Sequence, residues 1–173
     1  MTRTLSNPTS CGVVMTKAAA GVAVMLGLAS PAFGQARLEG VWGVVTQDRN
    51  CTTNAAQGQP TRALVTYHGD GTVRESRYIP VFAQGQLSEG HGTWNSAGGE
   101  TFAGKVVSMV NFDTAPGTPP GAPVFQAGWQ VATQTIVLTG PDTFTMTGSS
   151  QFFNLNREVY RVGCASRVGE RFR

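Results

Sequence analysis

The chain has 173 residues, 40% of them apolar and 13% charged, with 13 Lys and Arg against 10 Asp and Glu. Such a length supports one domain with a real hydrophobic core. The charges form no basic run and no basic–aromatic stripe, which argues against nucleic-acid binding.

Residues 1–36 have the layout of an export signal. Arg3 and Lys17 are its only charges, and 18–30 (AAAGVAVMLGLAS) is an unbroken run of small and apolar residues. Pro31 ends any helix there, and cleavage after Gly34 or after Ala36 fits equally well. The run is too short to span a bilayer as a helix, which takes about 20 residues. Cys11 precedes it, so lipid attachment is not expected. Removal of 1–36 takes away Arg3, Lys17 and Cys11, leaving 137 residues with 11 basic and 10 acidic side chains. The expected product is a single domain, 37–173, secreted or periplasmic, with no stable membrane insertion.

Strand signals then recur with little sign of helix. Leu38–Thr46 is a valine-rich first strand, and Asp48–Pro60 reads as a long polar loop. Ala63, Val65 and Tyr67 alternate with Arg62, Leu64, Thr66 and His68 in a second strand. Gly69-Asp70-Gly71 turns the chain into a third, Thr72–Tyr78. Pro80–Gly90 is a loop, and Gly90–Asn95 a short fourth strand holding His91 and Trp94. After Ser96–Gly99 the fifth runs Thr101–Phe112. The stretch Thr114–Pro123, dense in Pro and Gly, is irregular. Phe125–Thr139, Thr143–Phe153 and Glu158–Cys164 complete eight strands, with turns at Gly140-Pro141-Asp142 and Asn154–Arg157. Arg167, Arg171 and Arg173 then read as a solvated tail.

Eight strands joined mostly by short turns predict an all-β, antiparallel up-and-down barrel. Closure removes the sheet edges that a flat meander leaves exposed. A two-sheet sandwich is the alternative. Cys51 and Cys164 form one even pair, and an exported protein is expected to join them. In a simple meander, however, the end of the first strand and the end of the last lie at opposite mouths. Either the 48–60 loop folds back, or a strand bends, or the two are not paired.

Gly40-Val41-Trp42 on the first strand and Arg161 in the last resemble the calycin superfamily of lipocalin-like barrels. In that family the tryptophan packs at the closed end and a basic residue of the last strand covers its indole, which gains cation–π stabilisation. The resemblance implies that Trp42 and Arg161 close the barrel. Asp48-Arg49-Asn50-Cys51, Gly69-Asp70-Gly71-Thr72, Gly90-His91-Gly92-Thr93-Trp94 and Tyr160-Arg161-Val162-Gly163-Cys164 are also similar to a group of small secreted bacterial proteins. This second likeness implies fold and export, not chemistry.

No catalytic motif is present. With only His68 and His91, the chain lacks a metal-ligand spacing, and neither a metal nor a cofactor is expected. His91, between two glycines, either lines the lumen or bonds a neighbouring strand. Glu75 and Arg77 share a face that is either lumen or solvent. If lumenal, they would anchor a polar ligand group. Trp129, Phe144 and Met146, with Phe102 and Met109, either line an apolar pocket or fill the core. The leading expectation is a barrel holding a small apolar or amphipathic ligand. The alternatives are a cavity enzyme on a lipid-like substrate, as the calycin-type allene oxide cyclases are, which a Glu75–His91 pair inside the cavity would favour, and a structural or interaction protein with a packed lumen that binds through the 114–123 loop or an outer face.

Overall fold

A computed structural model describes residues 37–78, 85–111 and 127–173. Residues 1–36, where the sequence reading expects an export signal, and the Pro-rich 114–123 stretch lie outside them. Eight strands follow in chain order: β1 (Gly40–Arg49), β2 (Ala56–Tyr67), β3 (Thr72–Tyr78), β4 (Gly90–Gly98), β5 (Thr101–Val110), β6 (Gly128–Gly140), β7 (Thr143–Asn154) and β8 (Val159–Arg171). Each pairs antiparallel with the next, and β1 pairs antiparallel with β8, so the sheet closes into an up-and-down barrel.

The two-residue alternation of a strand sorts side chains between lumen and solvent. In β6, Gln130, Ala132, Gln134, Ile136 and Leu138 are buried, whereas Thr133, Thr135 and Val137 face outward. The outer positions of β7 are mainly Thr and Ser, residues that suit a pleated surface half in water.

Several boundaries differ from the sequence reading by a few residues, β4 for instance running on to Gly98 rather than Asn95, and two of the differences shape the site. The expected 48–60 loop is mostly strand, since β2 starts at Ala56 and Asp48 pairs with Gln57 across a bulge. What remains is a compact turn, in which Asn50 Oδ1 accepts hydrogen bonds from the amides of Thr52 and Thr53, both at 2.9 Å. Such Asx geometry lets polar residues complete a tight hairpin. At the other end, β8 continues past Cys164 to Arg171, so the supposed solvated tail is a wall of the barrel. This extension answers the disulfide question. Arg49, the last residue of β1, pairs with Cys164 in the middle of β8, and Cys51 bonds Cys164 with their Cα atoms 5.2 Å apart.

The closed end is a knot of aromatic rings. Trp42 lies 4.9 Å from Phe144 between centroids, Tyr67 is 5.6 Å from Trp94, and Trp94 is 5.8 Å from Phe102. The pairs are tilted or edge-on, the arrangements that the ring quadrupole favours. Both buried indoles are satisfied: Trp42 Nε1 donates to the Leu38 carbonyl (2.9 Å), and Trp94 Nε1 to those of Thr72 (2.9 Å) and His68 (3.1 Å). Leu38, Ile136 and Leu138 complete this floor, each large apolar side chain contributing about 2–3 kcal/mol of burial.

The cation over Trp42 is Arg171, its guanidinium carbon 4.2 Å from the ring centroid. Arg161 instead covers Phe152, at 3.7 Å. The expected closing role of Arg161 is thus corrected, and the reason is register. Trp42 pairs with Arg171, and Arg161 lies ten residues earlier on β8, roughly 33 Å away at a strand's rise. Arg171 also donates to the carbonyls of Arg37 and Glu39 and pairs with Asp142 at 3.2 Å, tying the N-terminal residues of the described chain across the closed end.

Candidate functional site

Above the aromatic floor the lumen changes character. The inward positions of β3, β5, β6 and β8 at this level are Glu75, Arg77, Ser108, Gln130, Gln134 and Arg167, all buried or nearly so. Glu75 is 1% exposed. Its Oε1 accepts a hydrogen bond from Arg77 Nε at 2.6 Å and lies 2.9 Å from Arg167 Nη1, while Arg77 Nη1 donates to Gln130 Oε1 at 2.6 Å. Three strands, β3, β6 and β8, are thereby linked around one carboxylate oxygen.

Gly90 makes room for this layer. It faces Glu75 across the β3–β4 pair, and a Cβ there would sit 2.6 Å from Val106 Cγ1 and 3.1 Å from Ser108 Oγ. With residue 90 pointing inward, alternation turns His91 outward.

Burial alone would raise the Glu75 pKa, but the charges of Arg167 and then Arg77, with their hydrogen bonds, outweigh it and hold the carboxyl at about 2. Tyr67, buried beside this layer, is pushed well above its ordinary value, chiefly by desolvation, so its hydroxyl stays neutral. Among the described residues, Tyr67 Oη, Glu75 Oε2, Ser108 Oγ, Gln134 Nε2 and Arg167 Nη1 are buried without a hydrogen-bond partner, the last having only its ion pair with Glu75. Each such group costs roughly 1–3 kcal/mol if left unmatched.

A cavity of about 680 Å³ opens above the layer, within the range of small-molecule sites. Its apolar wall includes Ala63, Leu87, Ala132, Met146 and Phe152, and Arg77, Gln130, Gln134 and Arg167 reach it from below. The Cys51–Cys164 disulfide borders it, staking the β1–β2 turn to β8.

The six residues expected to bind a ligand are divided by the structure. Arg77 and Met146 line the cavity, and Glu75 braces it from beneath. Phe144 belongs to the aromatic floor. His91 is exposed on the outer face of β4, and Trp129 lies on the outer face of β6, half-buried and stacked on Phe153 at 6.0 Å. These two are corrected by strand parity: each takes the position next to an inward residue, Gly90 and Gln130. Of the wider aromatic and methionine set, Phe102 is core and Met109 is 53% exposed.

Sequence reasoning missed Arg167, Gln130 and Gln134. The two glutamines were legible in the alternation of β6, where they continue the row of Ala132, Ile136 and Leu138. Arg167 was not, because nothing in Ala165–Arg171 signals a strand as strongly as pairing with both β1 and β7 does.

Chemically the site offers guanidinium and amide donors, one strongly acidic carboxylate and no buried histidine. No cluster of three or more metal-ligating side chains occurs among the described residues. The closed eight-stranded architecture is consistent with a lipocalin-like fold. Comparison with known proteins returns no matching family model, no matching curated protein and no matching solved structure.

Proposed function

We propose that this barrel binds a small amphipathic molecule in its lumen, and that it does so outside the cytoplasm, as a secreted or periplasmic protein of the lipocalin-like (calycin) type. The observation that carries the reading is the cavity of about 680 Å³, bounded below by a charged layer and walled by apolar side chains. A protein interior packs with few voids larger than a water molecule, so a space of this size among the described residues is a departure that ligand burial would explain. Unmatched donors at the base, Tyr67 Oη, Ser108 Oγ and Gln134 Nε2, support it further, since a ligand's polar head group would satisfy them. The location rests on the disulfide, which persists in oxidising compartments, and on the signal-like residues 1–36.

A Glu75–His91 catalytic pair has no support, because the two side chains lie on opposite faces of the wall. The test is native mass spectrometry of the protein purified gently from its own host, with organic extraction. A stoichiometric small molecule is expected. Its release by Ala132→Trp, which fills the cavity, would place it in the lumen. A ligand that remains bound to a folded Ala132→Trp protein would overturn the lumenal reading.

A further inference from the structure

The charge balance of the lumen narrows the ligand class, an inference that rests on the lumen being the binding site. Arg49, Arg62, Arg77 and Arg167 border the cavity, and among the described residues Asp48 is the acidic one on its wall. Beneath it, Glu75 neutralises one guanidinium, yet two are engaged on the same oxygen. Among the described residues the buried layer therefore carries one positive charge in excess, and a buried charge without a counter-ion is costly.

The two arginines are not equally committed. Arg77 spends Nε on Glu75 and Nη1 on Gln130. Arg167, its side chain 90% buried, is within ion-pair range of Glu75 through Nη1, a buried nitrogen with no hydrogen-bond partner, and makes no other side-chain hydrogen bond among the described residues. Its neighbours across the wall are Thr46 on β1 and Met146 on β7, so the free edge of the guanidinium borders both the cavity and an apolar side chain. Gln134 Nε2, a second buried donor without a partner, also lines the cavity. A planar guanidinium edge and an amide N–H together suit a two-oxygen anion.

We propose that the ligand is an amphiphile with a single carboxylate head, received by Arg167 with Gln134 beside it, its apolar body running along Met146, Ala132 and Phe152 toward the mouth. One negative charge balances the layer. A neutral or cationic head leaves Arg167 unmatched, and a dianion overshoots.

The test is fluorescence titration of the full protein with dansyl-undecanoic acid and with its methyl ester, which share a body and differ in charge. The acid is expected to bind at least about 10-fold more tightly, the worth of a charge-assisted hydrogen bond. Arg167→Gln should bring the ratio near one by weakening the acid alone. Glu75→Gln, which removes the competing carboxylate, should tighten the acid several-fold and leave the ester unchanged. This gain is a result that a purely structural role would not give, and the acid-to-ester ratio of the unaltered protein keeps the proposal testable where either variant fails to fold. Equal binding of acid and ester by the unaltered protein would overturn the carboxylate proposal and leave lumenal binding standing. Absence of binding by both probes would overturn lumenal binding, and this proposal with it.

Discussion

Glu75 of β3 and Arg167 of β8 meet across the lumen, Oε1 to Nη1 at 2.9 Å, although 92 residues separate them in the chain. Arg77 approaches the same oxygen from Glu75's own strand. The carboxylate is thus held by one local and one distant cation, and the distant one exists there only because the barrel closes through β8.

That relationship has a pH signature. The folded carboxyl titrates at about 2, against an ordinary 4.5. A depressed folded pKa contributes stability that is full above 4.5 and is lost as pH falls from there toward 2. The loss amounts to about 3 kcal/mol. Urea unfolding at a series of pH values should show the midpoint falling through that window. Glu75→Gln should lack this component of the fall. At neutral pH it should be less stable by about 3–5 kcal/mol, since both arginines lose their counter-charge. An unchanged acid profile in Glu75→Gln would refute the assignment.

The disulfide closes a span of 113 residues. Cross-links of such length stabilise mainly by restricting the unfolded chain. The Cys51→Ser, Cys164→Ser double variant is expected to lose about 2–5 kcal/mol in urea unfolding. Reduction of the unaltered protein with dithiothreitol should reproduce the same midpoint. If reduction leaves the midpoint where it was, the bond contributes nothing to stability.

Arg171 and Arg161 occupy the same face of β8 at opposite ends, and their substitutions should separate. Arg171→Met removes the stack on Trp42 together with hydrogen bonds to the carbonyls of Arg37 and Glu39, at a cost of about 2–3 kcal/mol. Near-ultraviolet circular dichroism should report the loosened indole. Arg161→Met leaves the closed end intact, so the aromatic signal of Trp42 should persist. The reverse pattern would return the closing role to Arg161.

Gly92 is required by strand proximity. A Cβ on it would sit 1.8 Å from the Lys105 carbonyl oxygen, a backbone atom that cannot swing away. Gly92→Ala should force β4 from β5 and cost about 3 kcal/mol or more. A thermal midpoint within a degree or two of the unaltered protein would show that the two strands have more latitude than this.

The candidate site was legible only in pieces. Arg77 and Met146 were named from the sequence and reach the cavity, and Glu75 braces it. The same alternation that pairs Glu75 with Arg77 on one face cannot say which face is lumen. That choice depends on the neighbours each strand acquires. His91 and Trp129 were attractive because a histidine between glycines and a tryptophan among valines are chemically conspicuous. Parity places both on the outer wall. Arg167 and Arg171, taken for a solvated end, are the cations that organise the polar layer and the closed end.

Hydrophobic alternation with a period of two, punctuated by Gly, Pro, Asn and Asp, was enough to specify eight antiparallel strands and their order, because side-chain parity and turn chemistry are local properties. The number of cysteines left after residues 1–36 was enough to anticipate a single bond. Which arginine covers Trp42, how Cys51 reaches Cys164, and which polar side chains share the lumen were decided by the β1–β8 register. Register at closure is a long-range property: it emerges when β8 pairs with β1 and β7 at once, and a shift along that seam would carry Arg167 away from Glu75 and Arg171 away from Trp42.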